Sequence, residues 1–271
     1  LGKVNSHGYE LELRLNHIFN NGLRAWLNTS MTHAINEIKF RDDAPLLPAY
    51  QKGVGHTINQ VYSYIDHGNL GTWDDVIGSS TWTTGNDMKL PGDYIIDFNG
   101  DGIVNIDDRA PYQYASTPQN TYNASLGFEW KGFSCFAQFY GVTNVTREVN
   151  FPTFRSTAHV AYAEGAYWTP GGNATLPTPR WGTTVDPAAT GTRYWYDGAY
   201  LRLKNVEVSY TFKNNWLKKI GVNSCRLYLN GDNLYMWTDM PDDREANYGT
   251  GSSDGAYPTV RRFNLGIEIT L

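Results

Sequence analysis

Cysteine is scarce in this chain: Cys135 and Cys225 are the only two in 271 residues, and their spacing gives neither a metal site nor a disulfide framework. Long apolar runs are missing as well. None approaches the ~20 residues of a membrane-spanning helix, and no signal peptide opens the sequence. These absences leave a membrane barrel open, because barrel strands need only ~9–11 residues and each signals weakly. Basic residues are outnumbered, 22 Lys and Arg against 27 Asp and Glu, and the net charge of −5 argues against a nucleic-acid-binding surface. Catalytic motifs are absent too. The histidines (His7, His17, His33, His56, His67 and His159) form no HExxH and no two-His metal spacing, and there is neither a G-x-S-x-G elbow nor a phosphate loop. The acidic pairs Asp74-Asp75 and Asp242-Asp243 are the remaining candidates for a glycosidase couple, and solvated loop carboxylates are the simpler reading. The expectation is a protein that is not an enzyme.

What the chain does have is 19 Tyr, 9 Trp and 27 Gly, with few helical patterns. That composition suits an all-β protein rich in turns, or one that handles sugars or membrane interfaces. Clean period-two alternation marks strands. Tyr9, Leu11, Leu13 and Leu15 interleave with Glu10, Glu12, Arg14 and Asn16. Tyr122, Ala124, Leu126, Phe128 and Trp130 interleave with Asn123, Ser125, Gly127 and Glu129. The run FNLGIEITL places Phe263, Leu265, Ile267, Ile269 and Leu271 on one face. With 23–37, 133–146, 197–212 and 224–237, seven long strands are expected.

Their connections alternate. Asn20–Gly22, Lys131–Gly132 and Lys213–Asn223 are short, and the first two carry hairpin-turn chemistry. The excursions at 38–118, 147–196 and 238–257 are long and rich in Gly, Pro, Asp, Trp and Tyr. A β-sandwich alternates along its strands in the same way, but it has no reason to gather all its long loops at one end. An outer-membrane up-and-down antiparallel β-barrel does, with short periplasmic turns and long extracellular loops. Seven strands would leave open edges in lipid, so the expectation is the C-terminal portion of a larger transmembrane barrel. The competing possibility is a secreted calcium-dependent carbohydrate-binding β-sandwich module.

Several motifs, in order, resemble one family. DGAYLRLKNVEVSYTF, LKKIGVNSCRLYLNGDNLYMWT and YPTVRRFNLGIEITL are similar to the closing strands of SusC/RagA-type TonB-dependent outer-membrane transporters. LGKVNSHGYELEL resembles the family's "N-x-G-φ-E-φ" strand opening, and GHTINQVYSYIDHG its "G-x-φ-φ-x-x-φ-Y-G-Y" loop. An acidic loop, then Thr117-Pro118, then the strand TYNASLGFEWKGFSCFAQF follow in the same order. Two departures stand out: Ser63-Tyr64 replaces the Gly-Tyr of the loop, and Leu271 stands where an aromatic residue is common. The resemblance implies about a third of a ~22-stranded barrel. It also implies import of glycans, oligosaccharides or peptides, with a SusD-like surface lipoprotein as lid and the TonB complex acting through an N-terminal part not represented here. The implied setting is the Gram-negative outer membrane and its lipid.

Two further features point to ligands. Loop aromatics Trp73, Trp82, Trp168, Trp181 and Trp195 could stack on sugars or anchor peptide side chains, or could pack the loops together. The stretch DFNGDGIVNIDD, Asp97–Asp108, has the ligand rhythm of a twelve-residue calcium loop. Asp97, Asn99 and Asp101 offer side-chain oxygens, Ile103 a carbonyl, Asn105 a ligand or water contact and Asp108 the closing carboxylate. Gly102 permits the sharp turn. Pro91-Gly92 and Pro111 oppose the flanking helices of an EF-hand, so a bound Ca2+ would be structural, and a plain Gly-rich turn is the alternative.

Overall fold

The computed structural model describes residues 2–148, 167–174, 178, 191–213, 215–240 and 259–271. Its strands are β1 (Lys3–Ile18), β2 (Arg24–Phe40), β3 (Tyr62–Tyr64), β4 (Thr81–Trp82), β5 (Ile103–Val104), β6 (Arg109–Pro111), β7 (Asn120–Trp130), β8 (Phe133–Thr143), β9 (Thr146–Glu148), β10 (Trp195–Asp197), β11 (Tyr200–Phe212), β12 (Ser224–Thr238) and β13 (Arg262–Thr270). Among the described residues two short helices, α1 (Trp73–Gly78) and α2 (Asn215–Lys219), lie in connections. The seven long strands form one antiparallel sheet in the order β1-β2-β7-β8-β11-β12-β13. Each is therefore hydrogen-bonded to its sequence neighbour among the long strands, the up-and-down arrangement of a barrel wall. A β-sandwich would need a second sheet packed on the first. The other described sheets have two strands each, so the sandwich alternative is overturned.

The short turns follow from local chemistry. Lys131 and Gly132 both take positive φ, 49° and 88°, as a two-residue type I′ hairpin requires. Gly22 takes φ 79°, and Asn21 Oδ1 accepts the Leu23 amide at 3.0 Å.

Register then sorts the side chains into two faces. One row runs Leu15, Leu27, Leu126, Ala137, Val206, Gly231 and Phe263 across the whole sheet. A second runs Phe128, Cys135, Val208, Leu229 and Leu265. On the opposite face a row reads Arg24, Glu129, Ser134, Ser209, Tyr228 and Gly266. The apolar face is bare: Leu11 is 61%, Leu229 54% and Leu265 74% exposed. Water would oppose such a patch, since each such side chain gains ~1.5–3 kcal/mol on leaving it. Both cysteines are free and lie on this face, Cys135 opposite Phe128 and Val208, and Cys225 opposite Phe212 and Ile269.

Aromatic residues bracket the apolar band. Phe128 and Phe133 meet at 5.7 Å and Tyr210 and Phe212 at 4.7 Å near the short turns, whereas Tyr235 and Trp237 meet at 4.8 Å near the long loops. The strand from Leu227, opposite Tyr210, to Trp237 covers ~33 Å at roughly 3.3 Å per residue. At a tilt of about 40° that is ~25 Å along the membrane normal, the height of an outer-membrane apolar band.

The sequence-derived strands are all present, and their bounds shift by about three residues at the long-loop end of three of them: β2, expected over 23–37, runs on to Phe40. The strand expected over 133–146 stops at Thr143, and Asn144 takes φ 55° before β9 begins. β9 pairs with β10 instead of continuing the wall, and β11 begins at Tyr200 rather than 197.

Candidate functional site

The long excursion after β2 is a folded unit, not a slack loop. Its core is Tyr64, Trp82, Tyr94, Ile96, Val104 and Tyr194, the last contributed from the segment before β10. Small elements position these residues. β3 pairs antiparallel with β6, and β4 lies parallel to β5, which sets Trp82 beside Val104. α1 is started by a capping box: Thr72 accepts the Asp75 amide at 3.1 Å and Asp75 accepts the Thr72 amide at 2.9 Å. The buried Lys89 ammonium donates to Ser79 Oγ at 2.7 Å and the Ser80 carbonyl at 3.0 Å, and stands 5.8 Å from the Trp82 ring centroid. Burial lowers its pKa, partly opposed by Asp93.

A clamp joins this unit to the segment before β10. Asp66 accepts Arg193 Nε at 2.7 Å and the Thr192 hydroxyl at 2.6 Å, and the Asp66 amide donates back to Thr192 Oγ1 at 3.3 Å. Tyr64 and Gly191 form an isolated parallel bridge. The Arg193 guanidinium lies 5.4 Å from the Tyr94 ring, whose hydroxyl burial pushes its pKa upward; burial raises Tyr194 likewise. These partners lie more than a hundred positions apart, and no local pattern announces them.

The acidic stretch Asp97–Asp108 closes on itself through its side chains. Asp97 accepts the amides of Gly100 at 2.8 Å and Gly102 at 3.0 Å, and the Ser80 hydroxyl at 2.6 Å. The Ser80 hydroxyl and, more weakly, those amides hold the Asp97 carboxyl below its ordinary range, against an opposing effect of burial smaller than that of Ser80. Asn99 accepts the Asp101 amide at 3.0 Å, and Asp101 accepts the Ile103 amide at 2.8 Å. Asp108 is fully buried; it accepts the amides of Phe98 and Asn105, each at 2.8 Å. Asn105 caps the 3-10 turn Ile106–Asp108 by accepting the Asp107 amide at 2.5 Å. Gly102 has φ 80°, the turn expected of it, and Val104 is buried against the loop core. No α-helix flanks the stretch: β5 and the 3-10 turn lie within it, and β6 follows it directly.

The donor set is one that calcium takes, with three carboxylates, two amide oxygens and the Ile103 carbonyl, all hard oxygen donors. In this conformation the oxygens serve backbone amides, and among the described residues no three acidic, His or Cys side chains converge on one point. The chemistry of the set fits the ion; a cage would require side chains such as Asp101 to turn from the backbone.

The tryptophans expected at a substrate face separate. Trp82 is 3% exposed within the loop core, so its ring packs the loop and is not open to a ligand. Trp73 on α1 is 58% exposed. Trp168 is half-buried over Gly92, and Trp195 is half-buried in β10. Trp181 lies outside the described residues, as do most of the excursions at 147–196 and 238–257.

Below this cap the polar face of the sheet carries paired charges. Arg226 binds Glu207 and reaches Glu268 at 3.3 Å; Arg24 stands 3.7 Å from Glu129 and Asn205 donates to Asp232 at 2.5 Å. Trp26 and Phe136 stack at 5.6 Å over Gly127, where any side chain would meet the Trp26 ring.

A bare apolar face, a charged polar face and a folded cap over one end define a class: a sector of a transmembrane β-barrel wall, open at both edges and carrying structured loops. Known proteins narrow it further. The chain is 28% identical over 301 aligned residues to TonB-dependent receptor P3 of Formosa agariphila, covering 99% of this chain and 29% of the receptor. It is also 28% identical to TonB-dependent receptor P26 of the same organism, over 74% of this chain and 22% of that one. The chain thus spans less than a third of the curated relatives it matches. No family model matches. Among solved structures, the RagAB peptide transporter shares the fold with a TM-score of 0.69 at 18% identity, over 99% of this chain and 29% of that one. The RagAB peptide importer in its "open-open" state gives 0.70. The motif order, the sequence relatives and the fold all point the same way: the chain resembles a portion of a SusC/RagA-type TonB-dependent transporter.

Proposed function

We propose that this chain forms part of the wall and extracellular cap of an outer-membrane TonB-dependent importer, which takes up oligosaccharides or peptides together with a SusD-like surface lipoprotein. The observation that carries this reading is the division of one seven-stranded sheet into a continuous apolar face and a charged one. Similarity to the two receptors and to the RagAB fold supports it. The named relatives are receptors and a transporter rather than enzymes. The energy-coupling partner, TonB, would act through parts of the importer outside this sector.

The lumen-side charges fit a passage for polar solutes, and the cap fits a docking platform for a lid. Trp73 is the most exposed of the described cap tryptophans and so the one of them open to a ligand or a lid. Calcium, held by Asp97, Asn99, Asp101, Ile103, Asn105 and Asp108, would stiffen the cap and take no part in transport chemistry. Uptake of labelled oligosaccharide and peptide pools by energised cells, with and without the encoding gene, tests the transport reading. Gene-dependent uptake that stops when the proton-motive force is collapsed is the expected result; gene-independent uptake of both pools contradicts it. For calcium, the expected result is faster proteolysis of the cap after chelation, restored by Ca2+, and unchanged proteolysis contradicts the assignment.

A further inference from the structure

One cross-strand row of the polar face carries large rings. Register aligns Asn16, Trp26, Gly127, Phe136, Glu207 and Asn230 from β1 to β12. Gly127 is a notch in this row. A Cβ there would stand 2.7 Å from Trp26 Cζ2 and 2.8 Å from its Cε2, so the indole lies across the glycine, against β7. Phe136, next in the row, stacks with it at 5.6 Å and an interplanar angle of 29°. The two half-buried rings form a shelf from β2 to β8, ~10 Å wide at the ~4.8 Å spacing of strands. Tyr228 lies over Gly266 in the same way, but the Arg226 guanidinium stands over that ring, 5.2 Å from its centroid. Among the described residues no cation and no third ring covers Trp26 or Phe136.

The surroundings of the shelf are polar and matched in charge. Toward the long loops the next row of the same face reads Arg14, Asn28, Ser125, Gln138, Asn205 and Asp232. Arg14 is held by Glu12, Arg24 stands against Glu129 and donates to Asn16, and Arg226 binds Glu207 and Glu268. Phe136 also lines a groove of about 540 Å³ with Gln138, Lys204, Asn205, Asp232 and Arg262. A register shift in β11 between Leu203 and Asn205 turns both Lys204 and Asn205 toward this groove. Within it Asn205 donates to Asp232 at 2.5 Å, Arg262 is the register partner of Asp232, and the Lys204 ammonium lies over the Tyr140 ring at 5.3 Å.

We propose that shelf and groove together form a wall subsite for a neutral oligosaccharide: one sugar ring stacks on Trp26 and Phe136, and hydroxyls of the next bind the Gln138 and Asn205 amides and the Asp232 carboxylate. Flat rings suit the apolar faces of sugars, and a few placed amide and carboxylate groups suit their hydroxyls. Charge decides between solute classes. The ions flanking the shelf are already matched with one another, so none is left to fix a peptide terminus, a uronate or a sulfate there. The groups between them, Asn28, Ser125 and Gln138, are uncharged donors and acceptors. This rests on the importer reading and adds to it the class of solute and the place on the wall where it binds.

The test uses the complete gene product in detergent, equilibrated with mixed pools of neutral oligosaccharides, of uronate- and sulfate-bearing oligosaccharides, and of peptides, with retained solutes identified by mass spectrometry. The expected result is preferential retention of neutral oligosaccharides, unchanged by salt because no ion pair forms with the solute. Trp26→Leu/Phe136→Leu keeps apolar bulk over Gly127 but removes the ring faces, and should weaken retention roughly tenfold, as truncating a central aromatic anchor does. Tyr228→Leu, which removes a ring already covered by Arg226, should leave it unchanged. Preference for either charged pool, no retention from the neutral pool, or undiminished retention in the double variant overturns the proposal. A second measurement does not depend on the double variant. The part of the tryptophan fluorescence lost in Trp26→Phe should change when the neutral pool is added, and no change overturns the subsite. Uptake by energised cells separates the two readings: gene-dependent uptake that the double variant leaves intact removes the subsite alone, whereas absence of gene-dependent uptake from every pool removes the importer reading.

Discussion

Replacing Leu229 by arginine should destabilise the barrel by ~1–3 kcal/mol, between the ~2–4 kcal/mol of a basic side chain at mid-bilayer and the ~0–1 kcal/mol near an interface. Leu229 sits in the apolar row of β12, between Val208 and Leu265 and two residues inside the band edge at Leu227, and is 54% exposed. Its exposed surface has no protein partner to lose, so in water the substitution would cost within about 0.5 kcal/mol, as surface changes do. The cost arises only if lipid covers that face. The adjacent residue supplies the control: Asn230 lies on the polar face, where Asn264 donates to it at 2.8 Å, and Asn230→Arg would place the same charge toward the lumen. At 1.4 kcal/mol per decade, the Leu229 substitution should lower the folding equilibrium constant by roughly five- to a hundredfold, and the Asn230 substitution by less than about threefold. Urea titration of the complete gene product in lipid vesicles, followed by the gel-mobility difference between folded and unfolded barrel, measures both. Equal effects of the two substitutions, or a small effect at Leu229, would refute the lipid-facing assignment.

Further outcomes follow from the cap. Trp82→Ala should cost ~3–5 kcal/mol of cap stability by emptying its core, whereas Trp73→Ala should lie within about 0.5 kcal/mol, as read by thermal unfolding of cap tryptophan fluorescence. Asp66→Asn should weaken the clamp by ~1.5–3 kcal/mol, the range for hydrogen bonds to a charged group, and proteolytic cutting within 41–119 should accelerate; an unchanged rate would count against the clamp. Because the folded-state pKa of Asp97 is depressed, its contribution is present above the unfolded value near ~3.9 and is lost as pH falls through the lower folded value. Acid titration of cap order should therefore show a step below about pH 4 that Asp97→Asn removes.

The wall was legible in the sequence because period-two alternation is a local property: the outward row of Leu11, Leu13 and Leu15 can be read without knowing its partners. The hairpin at Lys131-Gly132 was legible for the same reason. What the sequence hid depends on distance along the chain. Trp82 read as a loop aromatic that could face a ligand or pack the loops together, and packing is decided by β4 lying beside β5 and by Tyr194 arriving from another excursion. The Asp66–Arg193 clamp has no signature in either segment. In the stretch Asp97–Asp108 the turn at Gly102 and the lack of flanking helices were legible from Gly102 itself and from the prolines on either side. The burial of Asp108 beneath backbone amides was not, since it needs Phe98 and Asn105 folded over it.

One face of the seven-stranded sheet is assigned to lipid and the other to the lumen. The most direct measurement is a nitroxide scan along Leu227, Tyr228, Leu229, Asn230 and Gly231 of β12, in a Cys135→Ala/Cys225→Ala background reconstituted in vesicles. Collision rates with molecular oxygen and with a polar nickel complex should alternate with period two, oxygen being favoured at Leu227, Leu229 and Gly231 and nickel at Tyr228 and Asn230. Uniform nickel access along the strand would contradict the claim, because it would put both faces of the sheet in water.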